Sequence, residues 1–256
     1  MAGHSKWAKI KRSKGAADAK RASTFGKLSS KITIAVKTGG GADPDFNFKL
    51  KTAIQAAKEA GMPADTMKRA IDKGESKDED LKETTYEGYM PGGVAAMVMT
   101  ASDNTNRTYQ NVRNAFTKGN GSIGSPGCVA YMFSSRGEIY LKKPEKFSED
   151  ELLNFAMEAG ADDIDCSDDE QALVICDTAK LEEVSKALEK ELEGTDYKLL
   201  ETKEAMVPAN TVSVTSQDDV KDILKTLNLL EDDDDVIDVI ANFDIEDNLI
   251  NQLNEN

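Results

Sequence analysis

Between Asp18 and Lys37 apolar side chains recur at steps of three and four: Phe25, Leu28, Ile32 and Val36 mark one face of a helix. At roughly 100° per residue, Lys20, Lys27 and Lys31 cluster about 120° from that face. The helix can therefore dock on its neighbours while showing a row of ammonium groups. Ile34 falls near the basic face and has no place in this pattern. Gly39-Gly40-Gly41 ends the helix. A second runs from Phe46 to Ala60 with Leu50, Ile54 and Ala57 inward, and Gly61 stands at its C′ position, where positive φ costs glycine little. Pro63 opens a third, with Met67, Ala70 and Ile71 inward and Gly74 as its stop. Glu75 to Asp80 reads as a solvated linker.

Beyond residue 84 the period changes from near four to two. Thr84–Tyr89 and Val94–Ala101 read as strands around Pro91-Gly92-Gly93. A helix follows from Asn104, a natural N-cap, with Tyr109, Val112 and Phe116 inward, and a glycine-rich turn then leads to a strand over Cys128–Phe133. The next stretch reads β-α-β-β-α-β. Its strands are Gly137–Leu141, Asp163–Ser167, Ala172–Cys176 and Tyr197–Met206, and its helices are 149–159, with Ser148 and Glu151 as a capping box, and 179–193. That order is the ferredoxin-like arrangement. A strand at Thr211–Thr215, a helix over 216–229 capped by Ser216, and a strand at Val236–Phe243 complete the ordered chain. Residues 246–256 form a polar tail. The pattern alone suggests three consecutive modules in an α+β protein.

Charge changes the picture more than composition does. The formal net charge is −15, which by itself argues against a polyanionic partner. Residues 1–77, however, carry seventeen Lys/Arg against seven Asp/Glu, whereas the remainder carries fifteen against forty. Binding follows the local field and not the total, so a nucleic-acid partner is expected at the leading end. Lys6, Lys9, Lys11, Arg12 and Lys14 fall within nine residues, followed by Lys20 and Arg21, with no acid before Asp18. Five such contacts on duplex DNA give a salt slope of about −4.5. Trp7 sits among them, able to stack on an unpaired base or to pack on the helical module. No base-reading pattern accompanies the arm, so backbone or shape recognition is expected. The candidate nucleic-acid-binding residues are Lys6, Trp7, Lys9, Lys11, Arg12, Lys14, Lys20, Arg21, Lys27 and Lys31.

Other candidates fail on context. His4, the single histidine, lacks an orienting partner for general-base work. Gly119 to Gly124 matches G-x-G-x-x-G in form, but a helix precedes it and a strand follows, the reverse of a dinucleotide fingerprint. Asn104, Asn106, Arg107 and Thr108 open a helix whose N–H groups could receive a phosphate, although capping suffices to explain them. Asp232–Asp235 lacks calcium-loop spacing and reads as a solvated charge run. Cys128, Cys166 and Cys176 form no C-x-x-C pair and read as small buried residues of a reducing compartment. No enzyme, cofactor or metal is expected. The longest apolar run, Val94 to Met99, is far short of the roughly 20 residues of a membrane span. No signal-peptide pattern opens the chain, so a cytoplasmic address without membrane contact is expected, and of the oligomeric states, which the pattern does not fix, a monomer is favoured.

The opening MAGHSKWAKIKRSKGAADAKRASTFGKL resembles the YebC/PmpR family, whose members are named probable transcriptional regulators and whose mitochondrial relative is a translational activator of cytochrome oxidase. The stretches ITIAVKTGGGADPDFNFKLKTAIQAAKEAGMPADTMKRAI, YEGYMPGGVAAMV and DNTNRTYQNVRNAFTKGNGSIG are similar to it as well, so that the likeness spans residues 1–245. Ser29-Ser30 and Cys128 depart from the family's usual bulkier apolar residues and serine. The resemblance implies a small helical domain followed by two ferredoxin-like α/β domains, the third inserted into the second. The boundaries are then 1–78, 79–133 with 208–245, and 134–207. It implies one of two roles: a DNA-binding transcriptional regulator, or a ribosome-associated factor that binds rRNA or tRNA and relieves stalling at proline-rich stretches.

Overall fold

The computed structural model describes residues 17–76 and 81–245, with side chains from Ser23 onward in the first helix. Seven α-helices and ten strands lie among the described residues, making a mixed α+β protein. They group into two compact units: one takes in the chain up to Ala42, Ala64–Ser134 and the part from Val207, the other Asp43–Pro63 and Ser135–Met206. The leading 78 residues, a single module when read along the sequence, are thus shared between the units.

In the first unit, β1 (Lys82–Met90) and β2 (Val94–Ser102) form an antiparallel hairpin, flanked by the short β3 (Ser122–Ile123) and by β9 (Val236–Ala241) in the order β3-β1-β2-β9. Helices α4 (Thr105–Lys118) and α7 (Gln217–Glu231) cover one face. Val112 and Phe116 of the former and Val220, Ile223 and Leu227 of the latter close on Val94, Ala96 and Val98. These layers match a ferredoxin-like domain, but the opening hairpin gives a different chain order. The alternate residues Ala95 and Met97 are buried too, because α1 (Ala17–Thr38) contacts β2 and β9. A strand covered on both faces reads as a continuous apolar run, which accounts for Val94 to Met99. It also explains Ile34: every residue from Ile32 to Val36 is buried, so this segment of α1 has no solvent side.

Helix α1 packs on α3 (Ala64–Glu75). Thr33 Oγ1 donates to the Ala70 carbonyl at 3.0 Å. Gly74, expected to stop α3, lies inside it and is buried. A Cβ there would stand 2.6 Å from Val36 Cβ and 2.8 Å from the Thr33 carbonyl oxygen, so the glycine serves close helix approach. Gly74→Ala should destabilise the protein by about 2 kcal/mol despite alanine's better helix propensity. A urea midpoint equal to or above wild type would contradict this.

Two expected strands are corrected. Cys128–Phe133 is a turn followed by a short 3-10 helix over Ala130–Met132, and strand geometry begins only at Phe133. The run Val236–Phe243 breaks at the buried Asn242. There the Oδ1 accepts from the Ala95 N–H at 2.7 Å, and the chain leaves β9 to enter β10 (Phe243–Ile245). β10 pairs in parallel with β8 (Val212–Val214).

The second unit contains α2 (Phe48–Glu59), then β4 (Phe133–Lys142), α5 (Glu149–Glu158), β5 (Asp163–Asp165), β6 (Gln171–Cys176), α6 (Leu181–Glu191) and β7 (Lys198–Pro208). The sheet order β5-β6-β4-β7 is ferredoxin-like. Leu152 and Ala156 of α5 and Val184 and Leu188 of α6 pack on Ile139, Leu141 and Val174. Phe48 of α2 packs on the same core, which is why this helix groups here. Caps expected at Asn104, Ser148 and Ser216 are present, each accepting from a backbone N–H three residues on.

Candidate nucleic-acid interface

Of the candidate binding residues, Lys6, Trp7, Lys9, Lys11, Arg12 and Lys14 lie outside the described residues, as does His4. Lys20 and Arg21 fall within α1, whose backbone is described there. Lys31 is half-buried on that helix. Lys27 is engaged by the protein itself: its Nζ donates to the Glu231 carbonyl at 2.6 Å. Glu231 closes α7, whose last turn has no basic residue of its own. Lys27 supplies from α1 the cation that the negative end of that helix dipole favours. On α3, Lys68 and Arg69 are exposed and without a hydrogen bond or ion pair among the described residues. They add positive charge that the sequence pattern did not single out.

The N-terminus of α4 is filled from within. Asn104 Oδ1 accepts from the Arg107 N–H at 3.1 Å. The Arg107 guanidinium donates to Asp235 at 2.9 to 3.2 Å and to Asp103 at 3.0 Å. Thr108 Oγ1 and Ser102 Oγ donate to the same Asp235 carboxylate at 2.8 and 3.1 Å. Asp235, followed by Asp103, holds the Arg107 pKa above its ordinary value. The place open to a phosphate on sequence grounds is therefore taken by a carboxylate of this chain. Asp235 is correspondingly not a solvated member of its acid run: its side chain is 16% exposed, while Asp232 and Asp234 face water.

The loop over Gly127–Ala130 is anchored by Glu87, a buried acid on β1. Its carboxylate accepts from the backbone N–H groups of Gly127, Val129 and Ala130 at 2.6, 2.7 and 2.9 Å. Burial alone raises its pKa, but these three donors outweigh it and hold the carboxyl below the ordinary value. Donors bound to a side chain cannot join a ladder, which is why Cys128–Phe133 does not form a strand despite its β-favouring residues. Tyr89 Oη donates to the Cys128 carbonyl at 3.0 Å. Within Gly119 to Gly124, Gly119 and Asn120 form a turn, with Asn120 at positive φ, and β3 occupies Ser122 and Ile123. Tyr131, on the short 3-10 helix that follows, is 73% exposed.

Burial pushes all three thiol pKa values up, that of Cys176 to about 11. Among the described residues no group of three His, Cys, Asp or Glu could hold a metal ion, and no helix is long and apolar enough to cross a membrane.

Two family models match in succession: the TACO1/YebC protein N-terminal domain over residues 5–77, and the TACO1/YebC second and third domain over 81–243. The chain belongs to the TACO1/YebC family. A Natranaerobius thermophilus relative named "Probable transcriptional regulatory protein" is 46% identical, aligned over 98% of this chain and 99% of its own. A relative of the same name from Halothermothrix orenii is 43% identical over the full length of both. The crystal structure of a conserved hypothetical protein, Aq1575, from Aquifex aeolicus superposes with a TM-score of 0.80 at 40% identity, covering 90% of this chain and 93% of that one. In this TACO1/YebC protein the basic leading segment and the two α/β regions both fall within the matched domains.

Proposed function

We propose that this TACO1/YebC protein is a DNA-binding regulator of transcription, without catalytic activity, acting in the cytoplasm. It grips the phosphate backbone through Lys6, Lys9, Lys11, Arg12, Lys14, Lys20 and Arg21. The observation that carries this reading is the uneven charge, seventeen Lys/Arg against seven Asp/Glu in the leading 77 residues of a chain whose net charge is −15. Counterions displaced from a polyanion supply the binding free energy, and the acidic remainder stays clear of it. The relatives' name, a transcriptional regulatory protein, agrees with this.

One observation favours a second reading, a ribosome-associated translation factor presenting the same residues to ribosomal RNA. From Ile32 to Val36 the basic helix is buried on every side, so this segment cannot enter a major groove to read base edges. Recognition of backbone and shape suits structured RNA as well as DNA. Footprinting on genomic promoter fragments and sedimentation of lysate through a sucrose gradient separate the two. A discrete footprint that survives competitor DNA supports the transcriptional role. Co-migration with ribosomes and no footprint supports the translational one, and binding to neither sinks both.

A further inference from the structure

From Gly119 to Ser135 no side chain is charged, and the same holds from Gly88 to Ser102, in a chain where charged residues make up 31%. The two stretches meet in space: Gly88 and Tyr89 pair with Ile123 and Ser122, and the Gly124 N–H donates to the Glu87 carbonyl at 2.7 Å. Most of the stretch from Gly119 to Ser135 is on the surface, with Ser122, Gly124, Ser125, Pro126, Gly127 and Tyr131 exposed. An acidic body thus carries an outward-facing loop with no carboxylate of its own to repel a polyanion.

The loop is also held firmly. Glu87 binds three of its N–H groups from beneath, and Tyr89 binds the Cys128 carbonyl. The largest exposed ring on this loop, Tyr131, follows directly on Ala130, one of the three donors. An aromatic side chain fixed at its base and open at its face is what base stacking needs, since the ordering cost is met before the ligand arrives.

We propose that Tyr131 is the stacking platform for an unpaired nucleotide base, with the glycine- and serine-rich loop around it admitting the strand. This rests on the nucleic-acid reading above and adds to it a preference for single-stranded over duplex segments. Glu87 is a positioning residue for Tyr131 and does not touch the ligand.

The test uses the full chain and fluorescein-labelled RNA, DNA and duplex oligonucleotides of about 12 nucleotides, within the span of single-strand sites, followed by anisotropy. Tyr131→Ala should weaken binding to both single strands by about 5- to 150-fold, the range one stacked base is worth, and change duplex binding by less than about twofold. Loss on RNA alone assigns the base to RNA, and loss on DNA alone to DNA. Tyr131→Phe and Tyr131→Trp should retain affinity, which a role through the hydroxyl would not allow. Ultraviolet crosslinking of wild type to the single strand should place the adduct on the peptide containing Tyr131. Unchanged single-strand affinity in Tyr131→Ala, with wild type binding normally, overturns the stacking site and leaves the proposed function standing. Failure of wild type to bind any of the three oligonucleotides overturns both.

Discussion

Replacing Lys9, Lys11, Arg12 and Lys14 together by Glu should lower nucleic-acid affinity by on the order of 10³ at 0.1 M salt and flatten its salt dependence. Each phosphate contact contributes about 0.9 to the slope of log K against log salt on duplex DNA. Four lost contacts should make the slope shallower by about 3.6, and the same four, extrapolated from 1 M salt, account for the affinity. Four added carboxylates deepen the loss through repulsion. Titrations of wild type and variant from 50 to 300 mM salt would check this. Parallel slopes at reduced affinity would mean that the four side chains act through something other than phosphate contact.

Glu87→Ala should lower the unfolding free energy by about 3 kcal/mol. Hydrogen bonds to a charged acceptor contribute about 1.5–3 kcal/mol each, and a buried donor left alone costs about 1–3. The full sum is not expected, because Gly127 is exposed and its N–H regains water, whereas Val129 is fully buried and its N–H does not. The carboxyl pKa is held down in the folded protein. Its stabilisation is therefore present above the unfolded value near 4.3 and disappears as pH falls through the lower folded value. The stability gap between wild type and Glu87→Gln should be constant near neutrality and shrink below about pH 4. Chemical denaturation at pH 7 and pH 3 measures it, and a gap that widens on acidification would reverse the assignment.

What the sequence showed and what it hid divide along physical lines. The caps at Asn104, Ser148 and Ser216 were legible because a polar side chain before an apolar run acts within three residues of itself. The β-α-β-β-α-β segment was legible because its periods alternate cleanly between two and four. Gly74 was misread because a glycine near a helix end serves equally as terminator or as contact point, and only Val36 and Thr33 on another helix decide which. Cys128–Phe133 was misread because its conformation is set by Glu87, some 40 residues earlier. Asp235 was hidden among like neighbours, and its role emerges only beside Arg107 and Thr108. In the candidate interface the charge excess was countable from the start. That Lys27 is committed to the end of α7 was not, since its acceptor is a backbone carbonyl 204 positions away.

The pairing of β2 with β9 has a consequence for biogenesis. Ala96 faces Ala241 and Val98 faces Val239, so a central strand waits for a neighbour that emerges from the ribosome after most of the polypeptide has been made. Such distant partnerships are closed slowly, and until then β2 exposes an apolar margin prone to self-association. The segment between 135 and 206, with local contacts of its own, can mature first. Nascent chains halted before Val236 should therefore be the ones that chaperones retain.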